Sequence, residues 1–189
     1  MDLTCLITLN DILPDKHSDL AVCVIPANRE AAAQLEVTRE NIISYADRCG
    51  ADYIEITGDK APEWPMSNKY RLKQVIEKYE LTLYLDCDVV VKSDAPNIFQ
   101  NSALDKVCFV DEWKIIRDSY ENLFSGLQIE RSKVILRYPS LAKNNRAIQP
   151  NGGVMLFPRD LAHRYSQPPG PYPKFWCFDQ DYLLLSLED

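Results

Sequence analysis

Hydrophobic residues fall along this chain in short unbroken runs, separated by stretches with a helical period. Residues 20–25 (LAVCVI) are continuously apolar and stop at Pro26, residues 107–110 (VCFV) and 153–157 (GVMLF) repeat the theme, and 53–56 (YIEI) reads as a short second strand. Runs of this length that do not alternate with polar residues predict strands buried on both faces. Between them, residues 30–49 place Leu35, Ile42, Ile43 and Ala46 on one side of a helix, and Gly50 supplies its stop. Ser67 is the expected N-cap of a second helix over 68–79, with Leu72, Val75, Ile76 and Tyr79 as its apolar stripe. The run 81–91 (LTLYLDCDVVV) follows directly and reads as a further strand. Residues 3–9 are apolar enough for a strand, whereas 10–19, 61–66 and the proline-rich 166–173 read as loop or extended chain. Residues 114–145 mix charge, aromatics and Pro139, which predicts helices and a loop over the site.

The order strand, helix, strand, helix, strand from residue 20 to residue 91 is the signature of a parallel sheet with helices packed on it. Ligands of such sheets gather at the carboxyl ends of the strands. Residues 26–29, 57–59 and 86–88 all fall at those ends, which predicts one shared site.

The most informative chemistry is in the 81–91 run. Asp86 and Asp88 stand two positions apart between Leu81–Leu85 and Val89–Val91, with no Lys or Arg close by until Lys92. Ionised carboxylates in an apolar run are costly to bury unless their charge is compensated. On a strand, positions i and i+2 face the same side, so the pair is expected to offer oxygen ligands to one hard cation. The spacing alone carries little, because it recurs at Asp179 and Asp181; the placement of the first copy is what distinguishes it. Gly152 and Gly153 permit backbone close to a ligand, and Asn151 can donate and accept hydrogen bonds beside it. Each has a plainer reading. Lys69 near a helix start is commonly a solvated lysine, Asn151-Gly152-Gly153 can be a turn, and Asp179-Gln180-Asp181 can be the acidic start of a terminal helix. Trp113 and Trp176 could stack on a sugar, but aromatics beside apolar runs more often belong to the core.

Composition narrows the classes. The 189 residues, 46% hydrophobic, suffice for one domain with a substantial core. A net charge of −7 argues against nucleic-acid binding by a broad basic surface. The six cysteines show no close pairing and only two histidines are present, so no zinc spacing appears and a reduced, cytoplasmic setting is expected. No apolar stretch approaches transmembrane length, and the first residues lack the basic start of a signal peptide.

Three separated motifs, residues 68–91 (NKYRLKQVIEKYELTLYLDCDVVV), 151–157 (NGGVMLF) and 178–184 (FDQDYLL), together with 45–57 (YADRCGADYIEIT), resemble the GT-A class of nucleotide-sugar glycosyltransferases, most closely family 8. The resemblance implies a GT-A-like, Rossmann-like α/β fold: a mixed, mostly parallel sheet flanked by helices, with residues 1–189 as a single domain. It implies that Asp86 and Asp88 hold Mn²⁺ (or Mg²⁺) against the diphosphate of a nucleoside-diphosphate sugar, with uridine as the first choice of base. Lys69 is implied at the donor sugar and diphosphate, Pro26, Ala27 and Asn28 at the base and ribose, and Asp111 at the sugar. Asp59 is expected at the rim of the nucleotide site, and Cys87 lies within the metal motif. Asn151 and Gly152 are implied beside the sugar, and Asp179 and Gln180 nearest the reacting carbon, with a glycan or other hydroxyl compound as acceptor. Family members carry a histidine-containing loop near the C-terminus that completes the metal shell, and neither His17 nor His163 lies in such a motif. Either water, ligand or a nearby oxygen is expected in its place, or the chain is the N-terminal part of a longer protein. Two further functions stay open: a non-catalytic sugar-nucleotide-binding domain of a larger protein, and a nucleotidyltransferase. Against the latter, Pro26-Ala27-Asn28-Arg29 has no glycine for a phosphate loop.

Overall fold

Asn28 opens the first helix, α1 (Arg29–Cys49), by accepting a 2.8 Å hydrogen bond from the Ala31 N–H on its Oδ1. Gly50 closes it in the left-handed conformation, φ 68°, as the sequence predicts, with its N–H on the Ala46 and Asp47 carbonyls. These come from a computed structural model that describes residues 6–7, 13, 15–58, 65–101, 105–112, 121–140, 150–165, 168 and 178–187. Its strands are β1 (Leu6–Ile7), β2 (Leu20–Val24), β3 (Asp52–Ile56), β4 (Leu81–Leu85), β5 (Cys108–Asp111) and β6 (Pro150–Pro158). They form one sheet in the order β1-β3-β2-β4-β6-β5. The first four run parallel; β6 is antiparallel to both β4 and β5, so among these strands it alone runs against the rest. The expected mixed, mostly parallel sheet flanked by helices is therefore present.

Strand parity divides the core into two layers. Ala21, Cys23, Ile54, Ile56, Tyr84, Met155 and Phe157 face α2 (Lys73–Lys78) and its neighbours Leu72 and Tyr79. Val22, Val24, Tyr53, Leu81, Leu83, Leu85 and Leu156 face Leu35, Ile42, Tyr45 and Ala46 of α1. Burial on both sides is why β2 is an unbroken apolar run in sequence. A smaller cluster of Val134, Phe178, Tyr182 and Leu185 joins α3 (Glu121–Arg137) to α4 (Phe178–Ser186).

Two expectations need correction. Residues 68–79 are not one helix capped by Ser67. A 3-10 segment (Pro65–Leu72) leads into the short α2, Leu72 precedes α2 without a side-chain cap, and Ser67 lies buried inside the 3-10 segment. The 81–91 run is not one strand either. β4 ends at Leu85, and Asp86 to Val89 form a turn closed by the Val89 N–H on the Asp86 carbonyl at 3.1 Å. Val89 and Val91 still pack against the α1 layer, while Val90 is exposed, which explains how an apolar sequence can be loop.

What holds that loop is a polar stripe on α1. Thr38 donates to the Cys87 carbonyl at 2.6 Å. Asn41 exchanges two bonds with Val91, Nδ2 to its carbonyl at 2.8 Å and Oδ1 from its N–H at 2.7 Å. The Tyr45 hydroxyl donates to the Pro96 carbonyl and accepts from the Ile98 N–H, and Arg48 donates to the Ser93 and Ala95 carbonyls. Positions 38, 41, 45 and 48 lie on one helical face, so a single rigid element supplies the loop with the partners a strand would have given it. Asn41→Ala strips both Val91 groups of their partner at once. It is expected to lower stability by about 1–3 kcal/mol, read as a fall in the urea midpoint at unchanged slope.

Candidate functional site

The loop after β2, the turn after β4 and the start of β6 meet at one end of the sheet, because β6 enters where the parallel strands leave. Leu85 pairs with Val154, and the next residue, Asp86, donates its N–H to the Gly153 carbonyl at 2.8 Å. Tyr84 lies two residues before Asp86 on the same side, and its hydroxyl donates to Asp86 Oδ1 at 2.5 Å. Burial, then the Asp86 carboxylate, pushes the Tyr84 phenol well above its ordinary range, so it stays protonated and a donor. Lys69 enters from the 3-10 segment. Its ammonium sits 3.2 Å from Asp86 Oδ1 and 3.5 Å from Oδ2, and donates to the Gly152 carbonyl at 3.0 Å. The Tyr165 hydroxyl donates to the Lys69 carbonyl at 2.9 Å and fixes the backbone from which this side chain reaches.

Both glycines of the sequence motif are demanded by close approach. A Cβ on Gly153 would stand 2.8 Å from Asp86 Oδ2, and one on Gly152 would stand 2.8 Å from Gln180 Cγ and Oε1. Gly152 donates its N–H to Gln180 Oε1 at 2.9 Å. Asn151 accepts from the Gly153 N–H at 2.9 Å and donates through Nδ2 to Glu112, directly after β5.

A cleft of about 230 Å³ opens beside this network, lined by Ala27, Asn28, Lys69, Tyr84, Asp86, Cys87 and Asp88 among others. Ile25, Ala31 and Met66 add apolar wall, and Glu30 and Gln34 add polar groups from the first turns of α1. The structure thus brings together Ala27, Asn28, Lys69, Asp86, Cys87 and Asp88 on one cleft, with Asn151, Gly152 and Gln180 joined to it by hydrogen bonds. Pro26 adjoins the cleft without lining it, and the Asn28 Oδ1 is spent on capping α1. Asp111 ends β5 opposite Pro150, one residue before Glu112, and does not line the cleft. Asp59 and the side chain of Asp179 lie outside the described residues, as do Trp113 and Trp176. Asp181, the second carboxylate of the Asp179-Gln180-Asp181 motif, is fully buried, with Oδ1 3.1 Å from Arg131 Nε across the α3–α4 contact.

Asp86 and Asp88 do share a cleft, but not as same-facing strand residues. A turn presents them, with Asp86 partly covered and Asp88 exposed. As a donor set they fit a hard divalent cation: two carboxylates at one mouth, one of them open to solvent, with room for water and ligand oxygens. Among the described residues no group of three or more His, Cys, Asp or Glu side chains gathers there. Tyr84, Glu112 and the Thr38 stripe were not singled out from sequence, whereas Gly153 was. Tyr84 carried a usable signal, its position two residues before Asp86, and the stripe another, a second helical period written in polar residues.

No family model, curated protein or solved structure matches the chain. Among the described residues no helix is long and apolar enough to cross a membrane.

Gly153→Ala drives a methyl into the Asp86 carboxylate and is expected to destabilise the fold by about 1–3 kcal/mol. Gly126→Ala, in α3 with nothing within 4 Å of the new Cβ, is expected to stabilise by about 0.5–1 kcal/mol; paired urea titrations compare the two. Cys87 gives a pH signature. Burial first, then Asp86, Glu55 and Asp88, push its thiol up to about 12 from an ordinary value of 9.0. The unfolded thiol therefore ionises first, and this contribution to stability is complete below about pH 9 and lost as pH rises towards 12. The urea midpoint of wild type is expected to fall more steeply between pH 8 and 11 than that of Cys87→Ala.

Proposed function

We propose that this chain is a metal-dependent glycosyltransferase domain of the GT-A kind, resembling family 8, that moves a sugar from a nucleoside-diphosphate sugar to a hydroxyl acceptor. The observation that carries the reading is the convergence, on one cleft at the carboxyl ends of parallel strands, of Asp86, Asp88 and Lys69 with the loop after β2. An acidic chain needs a local device to hold a diphosphate, and a cation bound by two carboxylates beside a buried ammonium is such a device.

In this reading Asp86 and Asp88 hold the divalent cation, which when bound supplies Lewis-acid stabilisation of the leaving diphosphate. Tyr84 keeps the Asp86 carboxylate in one orientation, and Ile25, Ala27, Ala31 and Met66 give the base an apolar wall. Gln180 holds the Gly152 peptide, whose carbonyl anchors Lys69 beside the phosphates. Asp179 is retained as the carboxylate for charge or proton handling at the sugar, on resemblance alone.

One observation favours the second reading, a non-catalytic sugar-nucleotide-binding domain: the Gln180 carbonyl oxygen and the Asp181 carboxylate are both engaged inside the fold. Slow hydrolysis of a donor sugar without acceptor separates the two, since only an enzyme turns the donor over. For the shared metal–nucleotide site, calorimetry with uridine diphosphate is expected to show at least tenfold tighter binding with Mn²⁺ than without, and no such difference in Asp88→Ala. Equal affinity in wild type with and without the cation would discard the metal site.

A further inference from the structure

The Lys69 ammonium stands against both oxygens of the Asp86 carboxylate, at 3.2 and 3.5 Å, from a side chain only 10% exposed. Asp86 is also the inner of the two carboxylates assigned to the cation. An ammonium and a divalent cation on the same oxygens repel each other, and here the lysine side of the pair is largely shielded from water. The two are therefore competitors for one carboxylate. Lys69 has an alternative anchor in the Gly152 carbonyl at 3.0 Å, and its flexible four-carbon stem lets the charge move without the backbone, which Tyr165 holds. The surroundings favour pairing in either state. Tyr84 donates to the carboxylate whichever cation it faces, and its ring lies 5.4 Å from the ammonium.

We propose that Lys69 is a displaceable counter-ion. Its ammonium neutralises Asp86 when no metal is bound, gives up that carboxylate to the divalent cation, and is thereby released towards the anionic diphosphate that arrives with it. The inference rests on the metal-site reading above and adds a direction to it. Metal and nucleoside diphosphate then bind with positive coupling, because each favours the arrangement in which Lys69 has left Asp86. Lys69 acts here as a positioning residue that sets the order and strength of ligand binding.

The test measures Mn²⁺ binding alone and uridine diphosphate binding at saturating Mn²⁺, both by calorimetry, for wild type and Lys69→Met. Methionine keeps an unbranched side chain over Tyr84 and removes the charge. The expected result is that Lys69→Met binds Mn²⁺ alone at least tenfold more tightly than wild type and uridine diphosphate at least tenfold more weakly. Unchanged or weaker Mn²⁺ affinity in Lys69→Met, with wild type binding Mn²⁺ and Asp88→Ala not, overturns the exchange and leaves the metal site standing. No Mn²⁺ binding by wild type or Lys69→Met, with or without nucleotide, overturns both. A second measurement uses wild type alone and so survives a variant that fails to fold. Reductive methylation read by mass spectrometry is expected to modify Lys69 several-fold faster when Mg²⁺ is added, and an unchanged rate at saturating Mg²⁺ overturns the proposal.

Discussion

The ammonium of Lys69, bridging the Asp86 carboxylate and the Gly152 carbonyl, is the contact on which the functional end of this molecule depends. It joins three separate parts of the chain: the 3-10 segment before α2, the turn after β4 and the first residues of β6. Without a positive charge there, Asp86 would stand partly buried against Tyr84 with only neutral donors. Without Asp86, a lysine that is nearly buried would lose the carboxylate its ammonium faces. Breaking such a pair by removing one partner costs about 3–5 kcal/mol where burial is complete, and less where, as at Asp86, water reaches the carboxylate. The glycines follow from the same contact. Gly153 has to lack a side chain so that Asp86 can lie against it, and Gly152 so that Gln180 can grip its peptide.

The parallel half of the fold was legible because burial on both faces writes itself into sequence as unbroken apolar runs, as at residues 20–25. The end of α1 was legible because Gly50 is at a left-handed position. The end of β4 was not, since Val89 and Val91 are as apolar as strand residues and are buried by loop packing instead. What distinguishes loop from strand there is the hydrogen bonding of residues 87–98, and its partners sit some fifty residues away on α1, out of reach of any local pattern. Ser67 misled for a related reason: a good capping residue type precedes a helical period, but the turn it sits in is already 3-10 and buried.

The site divides in the same way. Asp86, Asp88 and Lys69 stood out by residue type in an apolar setting, and they do meet on one cleft. Alternation along a strand is not what joins the two aspartates, because a turn presents them. Asp181 shows the converse. Its sequence setting resembles that of Asp86, yet its partner Arg131 lies on a helix that no local reading connects to it, and the pair serves to lock α3 against α4. Two carboxylates of similar appearance thus have different fates, decided by which cation the tertiary fold sets beside each.

The polar stripe on α1 has a consequence for how this end of the molecule opens. A loop held by its own contacts frays independently of its neighbours, but residues 87–98 hold few of their own and borrow those of a 21-residue helix. The loop that carries Asp88 is therefore expected to open together with α1, and the amide protons of Val91 and Ile98, which Asn41 and Tyr45 hold, should exchange with solvent at the pace of the helix rather than at that of an exposed loop. The part of the cleft that carries the two aspartates is tied to a long, packed helix, so adjustment to a ligand is expected to fall to side chains such as Lys69 more than to the backbone that presents the aspartates.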